Sequence, residues 1–214
     1  KTEAALLEGY TALIQRFQPN VIIGYNIFKF DIPYMIDRAK LLMCADFDKQ
    51  GFLKDDHAKQ KTIKWSSSAF KNQEFDYLDA EGRLFVDLLP IVQRDNRLPN
   101  YKLSTVAEKF IGATKDPLDH KGIFKCYALG MRGIEKDATE KEKAMGVKAL
   151  SVCGKYCIQD SVLVLNLFKV LTTWTGLCEL AKVCNVPIFT TFTQGQQIKV
   201  FSQVYKTCSW DNMI

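Results

Sequence analysis

A short unbroken apolar run, Val21-Ile22-Ile23-Gly24-Tyr25, constrains this fold more than any other stretch of the chain. Its β-branched start favours a strand, and the absence of polar alternation predicts one buried on both faces. Upstream, Leu6, Leu7, Tyr10, Leu13, Ile14 and Phe17 recur at helical spacing until Gln18-Pro19-Asn20 breaks the pattern. Downstream, a polar loop runs through Asp31, and Pro33 opens a second helix to about Leu42, proline being suited to a first turn. Helix and strand alternate, which points to an α/β core with a mixed sheet flanked by helices.

Later segments are read the same way. Residues 45–72 are polar and lysine-rich without a sustained period. Phe75 to Asp87 is expected to be a hairpin, turning at Asp79-Ala80-Glu81-Gly82 and returning through Arg83-Leu84-Phe85-Val86. Helices are expected from Leu88 to Arg94 and over Leu103, Val106, Ala107, Phe110 and Ile111, with Gly112 as a C-terminal stop. Residues 113–146 read as a charged surface insertion. The longest periodic element follows, with Tyr156, Asp160, Leu163, Val164, Leu167, Phe168 and Leu171 on one stripe. A break near Val186-Pro187 precedes a final helix through Gln196, Gln197, Ile198, Val200, Phe201 and Val204, capped by Thr193.

Bulk properties exclude several classes. A net charge of +5 spread over scattered lysines permits a polyanionic partner without demanding one. Seven cysteines form no CxxC pair and only His57 and His120 are present, which argues against a zinc site or a disulfide framework and for reduced thiols. No signal peptide and no long apolar run appears, so no membrane partner is expected. The chain reads as an excerpt of a longer polypeptide, beginning at Lys1 within a helical pattern.

Two acids stand out. Asp160 falls inside the apolar stripe of its own helix, where a lone carboxylate costs several kcal/mol unless paired, coordinated or protonated. Tyr156, one turn earlier, faces the same way. The alternative is a partner from elsewhere in the fold, or a stripe edge open to water. Asp31 lies past the carboxyl end of the buried strand, at the rim where open α/β sheets bind ligands. Its alternative is a helix cap two residues before Pro33. Asn26 and Phe30 flank the same loop. Taken together, the two acids and the tyrosine suit a site that holds divalent metal through oxygen ligands.

Asn26-x-x-x-Phe30-Asp31 resembles the second exonuclease motif of the family B DNA polymerases, and Tyr156-x-x-x-Asp160 the third. The resemblance extends through Ile23-Gly24-Tyr25-Asn26-Ile27, Asp31-Ile32-Pro33-Tyr34, Leu180-Ala181-Lys182-Val183, Val186-Pro187 and Gly195-Gln196-Gln197-Ile198-Lys199-Val200. It is nearest to delta-type enzymes and those of large nucleocytoplasmic DNA viruses. It implies a partial ribonuclease H-like 3′–5′ exonuclease domain over residues 1–172, then a helical connector towards the polymerase palm over 173–214. Asp31 and Asp160 would be metal-binding carboxylates, with two Mg2+ (or Mn2+) ions in the complete site, and Tyr156 would orient the attacking water. Asn26 and Phe30 would contact the frayed single-stranded 3′ end of DNA. Leu103 and Val106 match a further DNA-contacting element in which Lys102 replaces a hydroxyl residue, so Leu103 would keep the contact and Lys102 would meet phosphate as a cation. The implied partners are DNA as single-stranded 3′ end and primer–template duplex, deoxynucleoside triphosphates and a sliding-clamp-type processivity factor. The implied setting is the nucleus or, for a virus, the host nucleus or a cytoplasmic virus factory.

The family's first exonuclease motif, Asp-x-Glu on an earlier strand, has no counterpart in residues 1–30, where only Glu3 and Glu8 are acidic. Asp79-Ala80-Glu81 has the right letters in a turn after the second motif, and Asp87 at a strand end is read as capping the next helix. The chain alone is therefore expected to be inactive. Competing readings are a stand-alone DEDD-type 3′–5′ exonuclease, disfavoured by Gly195-Gln196-Gln197-Ile198, and a non-catalytic DNA-binding relative, disfavoured by joint retention of Asp31, Tyr156 and Asp160.

Overall fold

The structure is a computed structural model that describes residues 2–53, 56–67, 71–113 and 118–211. It contains two compact units, one of residues 1–99 with 172–214 and one of residues 100–171. The class is mixed α/β, with many helices and small sheets.

In the first unit, α1 (Glu3–Phe17) ends at Gln18, and β1 (Val21–Gly24) and α2 (Asp31–Leu41) follow where the sequence places them. β1 is not buried on both faces as expected: Val21, Ile22 and Ile23 are half-buried and only Gly24 is buried. Beyond them come β2 (Lys59–Ser67), β3 (Lys71–Asp79), β4 (Leu84–Asp87) and α3 (Leu88–Asp95). The expected Phe75–Asp87 hairpin does not form. β3 pairs antiparallel with β2, and β4 instead runs parallel to β1, Val21 opposite Leu84 and Gly24 opposite Asp87. The reason lies in burial. β4 has Phe85, Val86 and Asp87 all buried and takes the similarly apolar β1 as its neighbour, joined by Leu84 N–H to Asn20 O at 3.0 Å. β3 has a wet face, and so does the lysine-rich segment that pairs with it. Lys64 sits opposite Glu74 with an ion pair at 2.6 Å, Thr62 Oγ1 donates to Asp76 at 2.5 Å, and Lys61 meets Asp79 at 2.5 Å. The mixed sheet expected from the sequence is thus two two-stranded sheets among the described residues. The unit is completed by α7 (Thr173–Cys184), α8 (Ile188–Thr193) and α9 (Gln196–Trp210), the last capped by Gly195 and not Thr193.

In the second unit, α4 (Leu103–Ile111) stops at Gly112, whose left-handed φ of 66° a glycine adopts without strain. The segment read as a surface insertion is a helical hairpin, α5 (His120–Ile134) and the start of α6 (Glu140–Val170). Asp119 caps α5 through Gly122 N–H, and Thr139 with Glu142 forms a capping box for α6. The two helices approach backbone to backbone where Gly133 meets Gly146: a Cβ added to Gly146 would lie 3.1 Å from the Gly133 Cα. Among the described residues no single helix is long and apolar enough to cross a membrane.

Candidate functional site

The first unit builds its candidate site at the carboxyl ends of β1 and β4. The chain leaves β1 at Gly24, where a Cβ would fall 2.2 Å from Ile27 Cγ2, so the turn closes only around glycine. Asn26 then takes a left-handed φ of 64°, which asparagine tolerates better than most residues. Phe28 is wholly buried, edge-on to Phe75 at 6.1 Å and Phe189 at 6.0 Å and stacked on Phe192 at 6.5 Å. Ile32 N–H closes the loop onto Ile27 O at 2.9 Å.

Asp87 locks this loop. Its carboxylate accepts from the backbone N–H groups of Asn26 (2.7 Å), Phe28 (3.2 Å) and Leu89 (3.0 Å). The last of these is the helix cap expected from sequence. The other two join positions about sixty residues apart, which no local spacing reveals. Asp87 is 1% exposed, and burial pushes its carboxyl up to about 6 against the pull of the three N–H donors, with the nearby charge of Asp31 adding to the rise.

The loop delivers Phe30 and Asp31 to the surface. Phe30 is 66% exposed and stacks on Tyr34 at 6.4 Å, leaving an aromatic face open. Asp31 is the first residue of α2, and the preceding Phe30 provides no side-chain cap, so Asp31 does not serve as the helix cap that its spacing allows. Burial pushes the Asp31 carboxyl above its ordinary value while its own backbone N–H opposes this. The residue is exposed by area, so water screens part of the effect.

The remaining expected site residues lie in the second unit. Tyr156 and Asp160 stand one turn apart on α6, both half-buried. The stripe on which they were expected to be buried is fully so only further along, at Leu163, Val164 and Leu167. Lys102 is exposed at the N-cap of α4 without a side-chain cap bond, and Leu103 begins that helix half-buried. Asn26, Phe30, Asp31 and Asp87 thus share one compact unit, and Lys102, Leu103, Tyr156 and Asp160 the other. Among the described residues no cluster of three or more His, Cys, Asp or Glu side chains is placed to hold a metal ion.

Residues 1–106, which include this loop and Asp87, match the family described as DNA polymerase family B, exonuclease domain. The chain belongs to the family B DNA polymerases. This family B chain is 53% identical over 97% of its length to DNA polymerase 120R of Invertebrate iridescent virus 3. It is 40% identical over 96% to putative DNA polymerase 060R of Frog virus 3. It is 32% identical over 99% to the DNA polymerase delta catalytic subunit of Candida albicans. It spans only 18%, 19% and 19% of the lengths of these relatives.

Proposed function

We propose that this chain is the 3′–5′ proofreading exonuclease region of a DNA-directed DNA polymerase that replicates DNA. Residues 1–172 belong to a ribonuclease H-like exonuclease domain, and residues 173–214 lead towards the palm. The observation that carries this reading is the Asn26–Asp31 loop, closed by Gly24 and pinned by Asp87 so that Phe30 and Asp31 face outward from a strand rim.

In this reading Phe30 offers its free face to a base or sugar of the single-stranded 3′ end, and Asn26 contacts the same strand. Lys102 meets backbone phosphate, and Leu103 packs against the strand. Asp31 and Asp160 would hold Mg2+ or Mn2+. The donors fit: carboxylate oxygens suit hard cations, and Asp31 carries a carboxyl that burial pushes up and that a cation would relieve. When bound, the ions supply an activated water and neutralise charge at the phosphodiester. Tyr156 would orient the attacking water through its hydroxyl. Primer–template duplex and deoxynucleoside triphosphates are the parent enzyme's substrates, and a sliding-clamp-type factor its processivity partner. Its setting is the nucleus or a virus factory.

The test uses the full-length polymerase. Asp31→Ala and Asp160→Ala each abolish excision of a mispaired 3′ nucleotide and leave nucleotide addition near normal. Intact excision in either variant refutes the assignment.

A further inference from the structure

A second feature of the first unit lies away from the Asp31 rim. Helix α9 starts beside a cavity of about 370 Å³ whose walls include Trp65, Gln93, Arg94, Gln196, Gln197 and Lys199. That volume lies within the usual range of small-ligand sites.

Lys199 is the anomaly. It is 3% exposed, lines this cavity, and its ammonium makes no hydrogen bond or ion pair with any described residue. Its position is unfavourable in three ways. Burial disfavours the ammonium and lowers its pKa, the largest effect. The nearby Arg94 guanidinium lowers it further, while Cys184 and Asp95 oppose. Lys199 also belongs to the first turns of a 15-residue helix, at the positive end of the macrodipole, where cations are disfavoured. A helical side chain slants back towards the N-terminus, which directs this one to the end where the first amides stand. Gly195, the cap residue, has no side chain to satisfy those amides.

The surroundings are held in place. Arg94 donates through Nη1 to Thr191 O at 3.0 Å and is paired with Asp95 at 2.6 and 2.7 Å. Trp65 Nε1 donates to Thr193 O at 2.7 Å, which sets the indole against Gly195 with ring carbons 3.6 Å from the position of a Cβ. One group relieves all three costs at once: an anion accepting from Lys199 and from the free amides of α9.

We propose that this cavity binds the phosphate group of a nucleotide, held by Lys199 and the N-terminus of α9, with the Trp65 indole beside the sugar or base. The site is independent of the exonuclease reading and uses none of its residues. Two sources supply the same chemistry, a free nucleotide and the backbone of a nucleic-acid strand.

The test compares the 214-residue chain with its Lys199→Met variant, which keeps the side-chain length and removes the charge. Calorimetric titrations use inorganic phosphate, dAMP and an oligothymidylate of about eight nucleotides. The expected result is a loss of affinity of about ten- to hundredfold on substitution. A loss seen with phosphate or dAMP assigns the site to free nucleotides, and a loss seen with the oligonucleotide alone assigns it to the strand backbone. Without ligand, Lys199→Met is at least as stable as the parent in urea, because it removes a cation that burial and the Arg94 guanidinium disfavour. Affinities equal within about twofold for all three probes overturn the proposal. So does a variant less stable than the parent, since Lys199 would then serve the fold itself.

Discussion

Asp87 offers the sharpest test of how the rim loop is held. Replacing it with asparagine keeps the shape but removes the charge. Oδ1 still accepts from Asn26 and Leu89, whereas the group facing Phe28 N–H becomes a donor. In the parent, the folded-state carboxyl titrates at about 6 instead of 3.8. An acid raised in this way favours the fold most when protonated. Its contribution is complete below about 3.8 and is lost as pH climbs through about 6. At about 1.4 kcal/mol per tenfold change in proton affinity, the full swing is about 3 kcal/mol. The asparagine side chain cannot titrate and has no such swing. Urea unfolding of parent and Asp87→Asn chains is measured from about pH 4 to about pH 7 in the presence of EDTA, because a cation near Asp31 would pull Asp87 down. The variant is expected to gain about 2–3 kcal/mol relative to the parent across this window, whatever their order at its acid end. Comparison with the parent cancels the contribution of Asp31, which also titrates high. A difference flat to within about 0.5 kcal/mol would show that Asp87 titrates as an ordinary surface acid and would refute its place as the buried lock of the loop.

Other outcomes follow from the same geometry. Phe28→Ala empties a fully buried ring site between Phe75, Phe189 and Phe192 and is expected to cost about 3–5 kcal/mol in urea unfolding. Gly24→Ala forces a methyl group onto Ile27 and is expected to cost about 1–3 kcal/mol. Gly9→Ala, in the exposed interior of α1 with nothing within 4 Å of its added Cβ, is expected to stabilise by about 0.5–1 kcal/mol. A Gly24→Ala variant as stable as the parent would refute the close approach of Ile27 at Gly24.

Much of this architecture could be read directly. Periodicity located α1 and α4, Pro33 marked the start of α2, and the apolar run located β1, because each of these signals lies within the element's own residues. Strand pairing was not legible. The turn at Asp79–Gly82 suggested a hairpin, yet β3 joins β2 across a segment whose lysines look patternless until the acids of β3 stand opposite them. The helices of the α5–α6 hairpin went unread within the segment taken as a surface insertion, although Asp119 and the Thr139–Glu142 capping box marked both helix starts. Charge masked the period: the buried residues of α6 before Asp160 are only Gly146 and Ala149, small side chains that carry little hydrophobic signal.

By itself the sequence determined the family, the Asn26–Asp31 and Tyr156–Asp160 motifs and the rim position of Asp31, since motifs and apolar runs are local in the chain. Only the tertiary structure decided that Asp31 is not a helix cap, that Asp87 is tied to Asn26 and Phe28, and that Lys199 is buried beside an open cavity. Hydrogen-bond satisfaction and desolvation belong to groups brought together from distant positions, and no spacing rule within one segment encodes them.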